Sequence, residues 1–342
     1  MTKYITEWEV FLYAEKTDKV KFHFAALAEQ WLASISHGVK EPTLAHYDYT
    51  LQRYLLPVFG AWSIRSLDEQ RLEQGILEVI SSKGGGHKPL GASSARECLS
   101  MLRRICKYAA HLRLMRPMEI VVKLPQFERR QTVPLSAQEQ TNLRDFVLEH
   151  PTVRKVGLLL QMQLGLRIGE VCGLQWGDFD LAAGTLTVRR TVSRIYCRNG
   201  HTKVLIQTPK TRSSSREIPI PQELLALLRE LCGNVSAETW FLSGSTEKPV
   251  EPRCYRKSIQ LYLQQAAVRK VHPHALRHTF ATTCLQAGCD IKTLSELLDH
   301  ADPNITLRRY VHSNLNRKRR ELERVFAALW RPAQPPACAK TV

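Results

Sequence analysis

Four short segments in the second half of the chain hold side chains that look ordinary one by one and informative together. The first runs Gln163-Leu-Gly-Leu-Arg167-Ile-Gly-Glu170. Arg167 follows a glycine-containing break, and Glu170 lies three residues on, one helical turn away on the same face. Taken alone, this is a surface Arg–Glu pair. The second, Gln207-Thr-Pro-Lys210-Thr211, sets a lysine between a strand-like stretch and a Ser-rich turn. Such a lysine is solvated, or mobile enough to enter a groove or deliver a proton. The third, His272-Pro-His274-Ala-Leu-Arg277-His278, opens a helix at Pro273. His274 and Arg277 are three apart, so both project from its first turns, and a helix N-terminus with an Arg and a His suits a phosphate better than a metal. His278, one residue further round, reads as a packed or hydrogen-bonded imidazole. The fourth contains His300 and then Arg308-Arg309-Tyr310-Val311. A lone tyrosine in that setting reads as packing.

The elements that must position these residues come from 342 residues, 44% hydrophobic and 24% charged, enough apolar material for packed cores. Lys and Arg number 49 against 32 Asp and Glu, a net charge of +17. That excess predicts attraction to a polyanion. No apolar run approaches the roughly 20 residues of a spanning helix, which argues against a membrane. The start, MTKYITEWEVFLYAEK, is unlike a signal peptide, so a cytoplasmic, nucleic-acid-binding protein is expected. Nine cysteines with no CxxC read as thiols packed as small hydrophobes, and neither a disulfide framework nor a metal site is expected.

Charge and periodicity divide the chain. Residues 1–130 carry net +5 and residues 131–342 net +12. Between them Pro125–Pro134 is charged, bracketed by prolines and without helical period, a linker at 125–134. The expected domains are a short extension at 1–20, a helical domain at 21–124, a second domain at 135–331 and a disordered tail at 332–342. In the first half, Phe24, Leu27, Ala28, Trp31 and Leu32 share one helix face. A second helix begins near Pro42-Thr43, places Tyr47, Leu51 and Tyr54 inward and stops at Leu56–Gly60. A third runs from Ser66–Asp68 to Ser82, with Asp68 near its N-terminus. A fourth spans Ser93–Leu114, with Leu99, Leu102, Ile105, Cys106 and Ala109 inside. Its Arg96, Arg103, Arg104 and Lys107 face DNA or simply solvent. In the second half helices are expected at 136–149, 152–164, 221–232, 255–269, 273–287, 290–298, 302–312 and 314–330. TLTVRRTVSRI, TKVLIQTP and REIPIP alternate like strands, with turns at Arg198–His201 and Thr211–Ser215. The fold class is therefore mainly α with a small antiparallel β-sheet in the C-terminal domain.

In their order, Arg167 with Glu170, Lys210, His274-x-x-Arg277, His300 and Tyr310 resemble the tyrosine recombinases, the integrase family of phage and mobile elements. The resemblance covers about residues 20–330. Trp31, Thr43, Tyr47, Leu51, Pro57, Phe59 and Gly60 likewise fall where the family's helical core-binding domain carries similar residues. One departure is Asp299, where the family usually has Gly. The resemblance implies a two-domain enzyme, a helical core-binding domain plus a mixed α/β catalytic domain, that cuts and rejoins DNA through a 3′-phosphotyrosyl link without metal, cofactor or ATP. It makes Tyr310 the nucleophile, Arg167 and Arg277 the neutralising cations, Lys210 the general acid, and His274 and His300 the remaining phosphate or tyrosine partners. Glu170 orients a cation behind them. Arg96, Arg103, Arg104, Lys107 and Arg212 are expected on DNA. The implied partners are double-stranded DNA, three further copies in a homotetramer on two sites with the amphipathic 314–330 helix docking in trans, and an excisionase or DNA-bending accessory protein. Integration and excision of a mobile element is the expected role. A chromosome-dimer-resolving recombinase, a type IB topoisomerase-like enzyme and a non-catalytic DNA-binding regulator are the alternatives.

Overall fold

Phe24, Leu27, Ala28, Trp31 and Leu32 line one face of helix α1 (Phe24–Ile35), and all five are buried. The computed structural model to which that helix belongs describes residues 22–82, 88–124, 132–198, 200–208 and 216–299, with Arg319, Leu322 and Glu323. Lys210, Arg212, His300 and Tyr310 lie outside the described residues, as do the expected helix at 302–312 and most of that at 314–330. Among the described residues no helix is long and apolar enough to cross a membrane.

The chain forms two compact units. One comprises residues up to 131 together with Arg194–Leu205. Its helices are α1, α2 (Glu41–Thr50), α3 (Leu56–Phe59), α4 (Glu69–Ser81) and α5 (Ala92–His111). α2 and α3 are joined by a π-helical turn at Leu51–Leu55. Pro57, with no N–H and a ring that crowds the carbonyl four residues back, would break a regular helix. The wider turn before it lets the helical path continue to Phe59. Asp68 caps α4, its Oδ1 accepting from Arg71 N at 2.8 Å. α5 buries Leu99, Leu102, Ile105, Cys106 and Ala109 as its period predicts, and Cys98 as well. Burial pushes the thiols of Cys98 and Cys106 up to about 12, the state of packed, unreactive groups. The Arg194–Leu205 hairpin packs on the helices of this unit. At its tip Arg198 grips Asp48 (3.0 Å) and Glu29 (2.6 Å), Lys203 meets Glu41 at 2.6 Å, and Tyr196 stacks edge-on against Tyr49.

The other unit comprises 132–193 and the chain from 206 on. It opens with α6 (Ala137–Glu149), whose start is a capping box of Ser136 and Glu139. α7 (Val153–Gln163) follows, then the five-residue α8 (Ile168–Cys172). Its strands are β1 (Phe179–Asp180), β2 (Thr185–Val188) and β5 (Arg216–Pro219), while β3 (Thr191–Tyr196) and β4 (Thr202–Gln207) begin and end in it and otherwise form the hairpin of the first unit. Helices α9 (Gln222–Cys232), α10 (Pro252–Gln265), α11 (Pro273–Gln286) and α12 (Ile291–Leu297) complete it.

The sheet departs from the expected three-strand succession. TLTVRRTVSRI is two strands, broken at Arg189-Arg190. β2 pairs with β5 and β1 in one antiparallel sheet, and β3 pairs with β4 in a separate ribbon. Arg190 explains the break. Its guanidinium holds Asp178 at 2.5 Å and the carbonyl of Gly173 at 3.2 Å, which removes this residue from the strand path.

α11 packs along α7, and its apolar side joins Phe280, Ala281 and Leu285 to Leu294 and Leu298 around α12. Gly165, in the turn between α7 and α8, has φ +68, and a Cβ there would stand 2.4 Å from the Phe280 ring. Only glycine fits this turn without moving α11. Gly165→Ala should therefore lower stability by about 3 kcal/mol, combining a left-handed backbone with overpacking. Chemical denaturation checks this against Gly38→Ala, whose Cβ would have its nearest neighbour at 3.7 Å. Equal midpoints for the two variants would contradict the account.

Candidate active site

The Gly165 turn delivers Arg167 to the N-terminus of α8. Glu170, one turn on, accepts from the Arg167 backbone N–H at 2.8 Å and from its Nη1 at 2.7 Å. The pair expected from spacing is thus formed, yet it is not a surface pair: Glu170 is only 5% exposed. α8 can sit this deep because Gly169 lies against β3, where a Cβ would approach Thr191 Oγ1 and the Val192 carbonyl to 2.6 Å.

The buried carboxylate has a second cation that the sequence reading missed. Arg216, the first residue of β5, donates from Nη1 to Glu170 Oε1 at 3.1 Å and from Nη2 to Oε2 at 2.7 Å. Burial alone would raise the Glu170 pKa. The hydrogen bonds and charge of Arg216, then the charge of Arg167, outweigh it and hold the carboxyl at about 2. For Arg167, burial opposes the charge, but Glu170 and Asp299 outweigh it and raise its pKa.

Arg277 is carried on α11 one turn after His274, as expected, but the two differ in setting. His274 is exposed, whereas Arg277 is 1% exposed. Its Nη1 donates to the Gly165 carbonyl at 2.8 Å and its Nη2 to the Leu298 carbonyl. The same Leu298 carbonyl accepts from Arg167 Nη2 at 3.4 Å. Two arginines 110 positions apart in sequence thus converge on one carbonyl, two residues before His300. Leu298 itself is fully buried in the α11–α12 cluster, which fixes that carbonyl. Asp299 closes the group, its Oδ2 3.3 Å from Arg167 Nη1 and its carbonyl 3.2 Å from Arg167 Nη2.

What this arrangement can do chemically is hold an anion. Arg167, Arg216 and Arg277 are permanently charged planar forks, held by a carboxylate and carbonyls rather than swinging in solvent. His278, half-buried on α11, fits the structural part expected of it.

The model of the phage integrase family matches residues 134–317, more than half of the chain and all of the catalytic candidates. The chain belongs to that family. Within it, a tyrosine recombinase XerC-like protein of Caldanaerobacter subterraneus subsp. tengcongensis is 33% identical over 177 residues, covering 46% of this chain and 45% of that protein. The tyrosine recombinase XerC of Xylella fastidiosa strain 9a5c is 30% identical over 184 residues, covering 50% and 53%. The chain spans about half the length of the curated relatives it matches. Solved integrase structures share the fold over more of it. The Tn1549 transposon integrase, in complex with a circular intermediate DNA, superposes with a TM-score of 0.69 at 21% identity, covering 87% of this chain and 99% of that one. A lambda integrase tetramer bound to a Holliday junction superposes at 0.60 and 15% identity, covering 88% and 80%. The mainly helical architecture with small antiparallel sheets is that of the integrase family.

Of the expected DNA contacts on α5, Arg103 and Arg104 have partners among the described residues. Arg103 donates to the Ile120 carbonyl from Nε (3.1 Å) and Nη2 (2.5 Å), tying down the segment after the helix. Arg104 donates to the Tyr47 hydroxyl at 2.7 Å. Arg96, Arg103, Arg104 and Lys107 nevertheless line one shallow groove of about 600 Å³, floored by Leu99, Val122 and Leu124.

Proposed function

We propose that this protein is a site-specific DNA recombinase that cuts and rejoins strands through a 3′-phosphotyrosyl intermediate. The convergence of Arg167 and Arg277 on the Leu298 carbonyl carries the reading. It supports two fixed positive charges at one place, two residues before His300 and twelve before Tyr310. Family membership supports the reaction class.

In this reading the Tyr310 oxygen attacks the scissile phosphorus as the bond to the 5′ oxygen breaks. Lys210 gives the departing oxygen its proton. Arg167, Arg277, His274 and His300 stabilise charge on the non-bridging oxygens, and Glu170 orients Arg167. One phosphodiester bond is exchanged for another, so no energy source is consumed, and a 5′ hydroxyl from a second strand reverses the step. The basic groove on α5, with Arg212, takes backbone phosphates, and the net charge of +17 favours a DNA-bound protein, acting in this reading in the cytoplasm. The helical domain at 21–124 and the catalytic domain at 135–331 hold the duplex, with four protomers on two sites and the 314–330 helix docked in a neighbour.

Integration and excision of a mobile element is the finer reading, and the fold shared with a transposon integrase and lambda integrase supports it. Resolution of chromosome dimers is the second, supported by the identity to XerC proteins. Attachment repeats beside the gene would decide for the first.

The chemistry is tested with a nicked suicide duplex carrying the protein's own recombination site. Tyr310→Phe should bind this DNA as wild type does and form no covalent adduct on a denaturing gel. Lys210→Ala should cleave poorly yet recover on a 5′-bridging phosphorothiolate, whose sulfur leaves without a proton. An undiminished adduct with Tyr310→Phe removes Tyr310 as the nucleophile.

A further inference from the structure

Asp299 has no task in the chemistry just proposed, yet it sits at the centre of the charge network. It follows α12 with φ +49, a left-handed conformation that glycine adopts freely and that an Asp holds at some cost. Its carboxylate oxygen Oδ2 lies 3.3 Å from Arg167 Nη1 and 3.8 Å from Arg216 Nη1. One anionic oxygen thus stands between two guanidinium groups. Solvent reaches both side chains, Asp299 being 51% and Arg167 41% exposed. Arg167 does not need Asp299 for its orientation. Glu170 already holds its backbone N–H and its Nη1, from the buried side. Asp299 adds a second, longer carboxylate contact on the same Nη1, at 3.3 Å, and so occupies charge of a part-exposed arginine that an incoming anion would use.

We infer that the Asp299 carboxylate is a resident anion seated on Arg167, which a DNA phosphate must displace to reach the site. The naming of that phosphate as the scissile one rests on the function proposed above, but the competition for Arg167 does not. Such a residue sets a threshold. A phosphate arriving alone meets a neutralised arginine and a nearby negative charge. A phosphate held by many other contacts along a bound duplex can push the carboxylate aside. Asp299 thereby favours productively bound DNA over stray phosphates.

The test uses the full chain and inorganic phosphate as probe at constant ionic strength, with binding read by calorimetry. Asp299→Asn keeps the side-chain shape and tolerates a left-handed backbone while removing the charge. Asp299→Gly removes the charge and relieves the backbone. Both should bind phosphate about fivefold more tightly than wild type, the scale of one exposed ion pair. That gain should vanish when Arg167→Gln is added, which separates this site from the rest of a strongly basic surface. Unchanged or weaker phosphate binding, or a gain that persists without Arg167, overturns the inference. On the nicked suicide duplex, Asp299→Asn should raise the rate of adduct formation. A lowered rate would make Asp299 a positioning residue for Arg167 and overturn the resident-anion reading. If neither wild type nor Asp299→Asn forms any adduct while the Arg167-dependent phosphate gain is present, the recombinase reading fails and the resident anion stands.

Discussion

Arg167→Gln and Arg277→Gln should each slow covalent attachment to DNA by about 10²–10³-fold, but the second should destabilise the protein far more than the first. The rate estimate is the cost of removing one charged donor from a developing phosphorane, judged from losses of comparable donors in other sites. The difference in stability follows from burial. Arg167 is 41% exposed, and its loss leaves Glu170 still paired through both oxygens with Arg216. About 1 kcal/mol is the expected cost. Arg277 is 1% exposed and joins the Gly165 carbonyl to the Leu298 carbonyl, and the shorter, neutral glutamine cannot make both of these charged contacts. About 3 kcal/mol is expected, by analogy with breaking other buried charged contacts. Single-turnover adduct formation and urea midpoints on the same preparations separate the two effects. Arg277→Lys sharpens the comparison, because a point charge cannot span both carbonyls. If Arg277→Gln kept wild-type stability, its two buried carbonyl contacts would contribute nothing to holding the fold.

The parts of this site that were legible in the sequence are those set by local spacing. Arg167 and Glu170 are one helical turn apart, and the turn forms. His274 and Arg277 open α11 as Pro273 predicts. The faces of α1 and α5 bury the residues their period selects, because an apolar stripe at helical spacing has few other ways to leave water. What was not legible depends on partners distant in sequence. Arg216 looks like any arginine after a Ser-rich turn. It becomes a ligand of Glu170 only because β5 pairs with β2 rather than with β4, placing Arg216 opposite Val188. An alternating strand does not announce which neighbour it will choose. The spacing of His274 and Arg277 likewise put both on one turn but could not say that Arg277 is buried. That follows from α11 packing along α7 and over the Gly165 turn. Asp299 was visible as an unusual residue before His300, and its position against Arg167 required α12 to pack against α11 and β5.

Glu170→Gln should cost about 3 kcal/mol at neutral pH, and the cost should disappear in acid. In the folded protein the Glu170 carboxyl lies at about 2 against an ordinary value of 4.5. A depressed carboxylate contributes stability that is fully present above its unfolded pKa and is lost as pH falls through the folded one. That lowering corresponds to about 3 kcal/mol, present above roughly pH 4.5 and gone near pH 2. The urea-midpoint gap between wild type and Glu170→Gln should therefore stay constant from pH 8 to 5 and close between about pH 4.5 and 2. Glu170→Met is the harsher change. It leaves Arg216, half-buried at the start of β5, with only the more distant Asp299 carboxylate, and about 3 kcal/mol should be lost. Adding Arg216→Met should recover much of that, because a buried ion pair exchanged for two apolar side chains of similar length is often close to neutral. The double variant would fold and still fail in cleavage, since Arg167 would have lost the carboxylate that holds it from behind. If instead the double variant were less stable than Glu170→Met alone, Arg216 would be held by contacts other than Glu170. A gap that is the same at pH 3 as at pH 7 would show that Glu170 does not act through its charge.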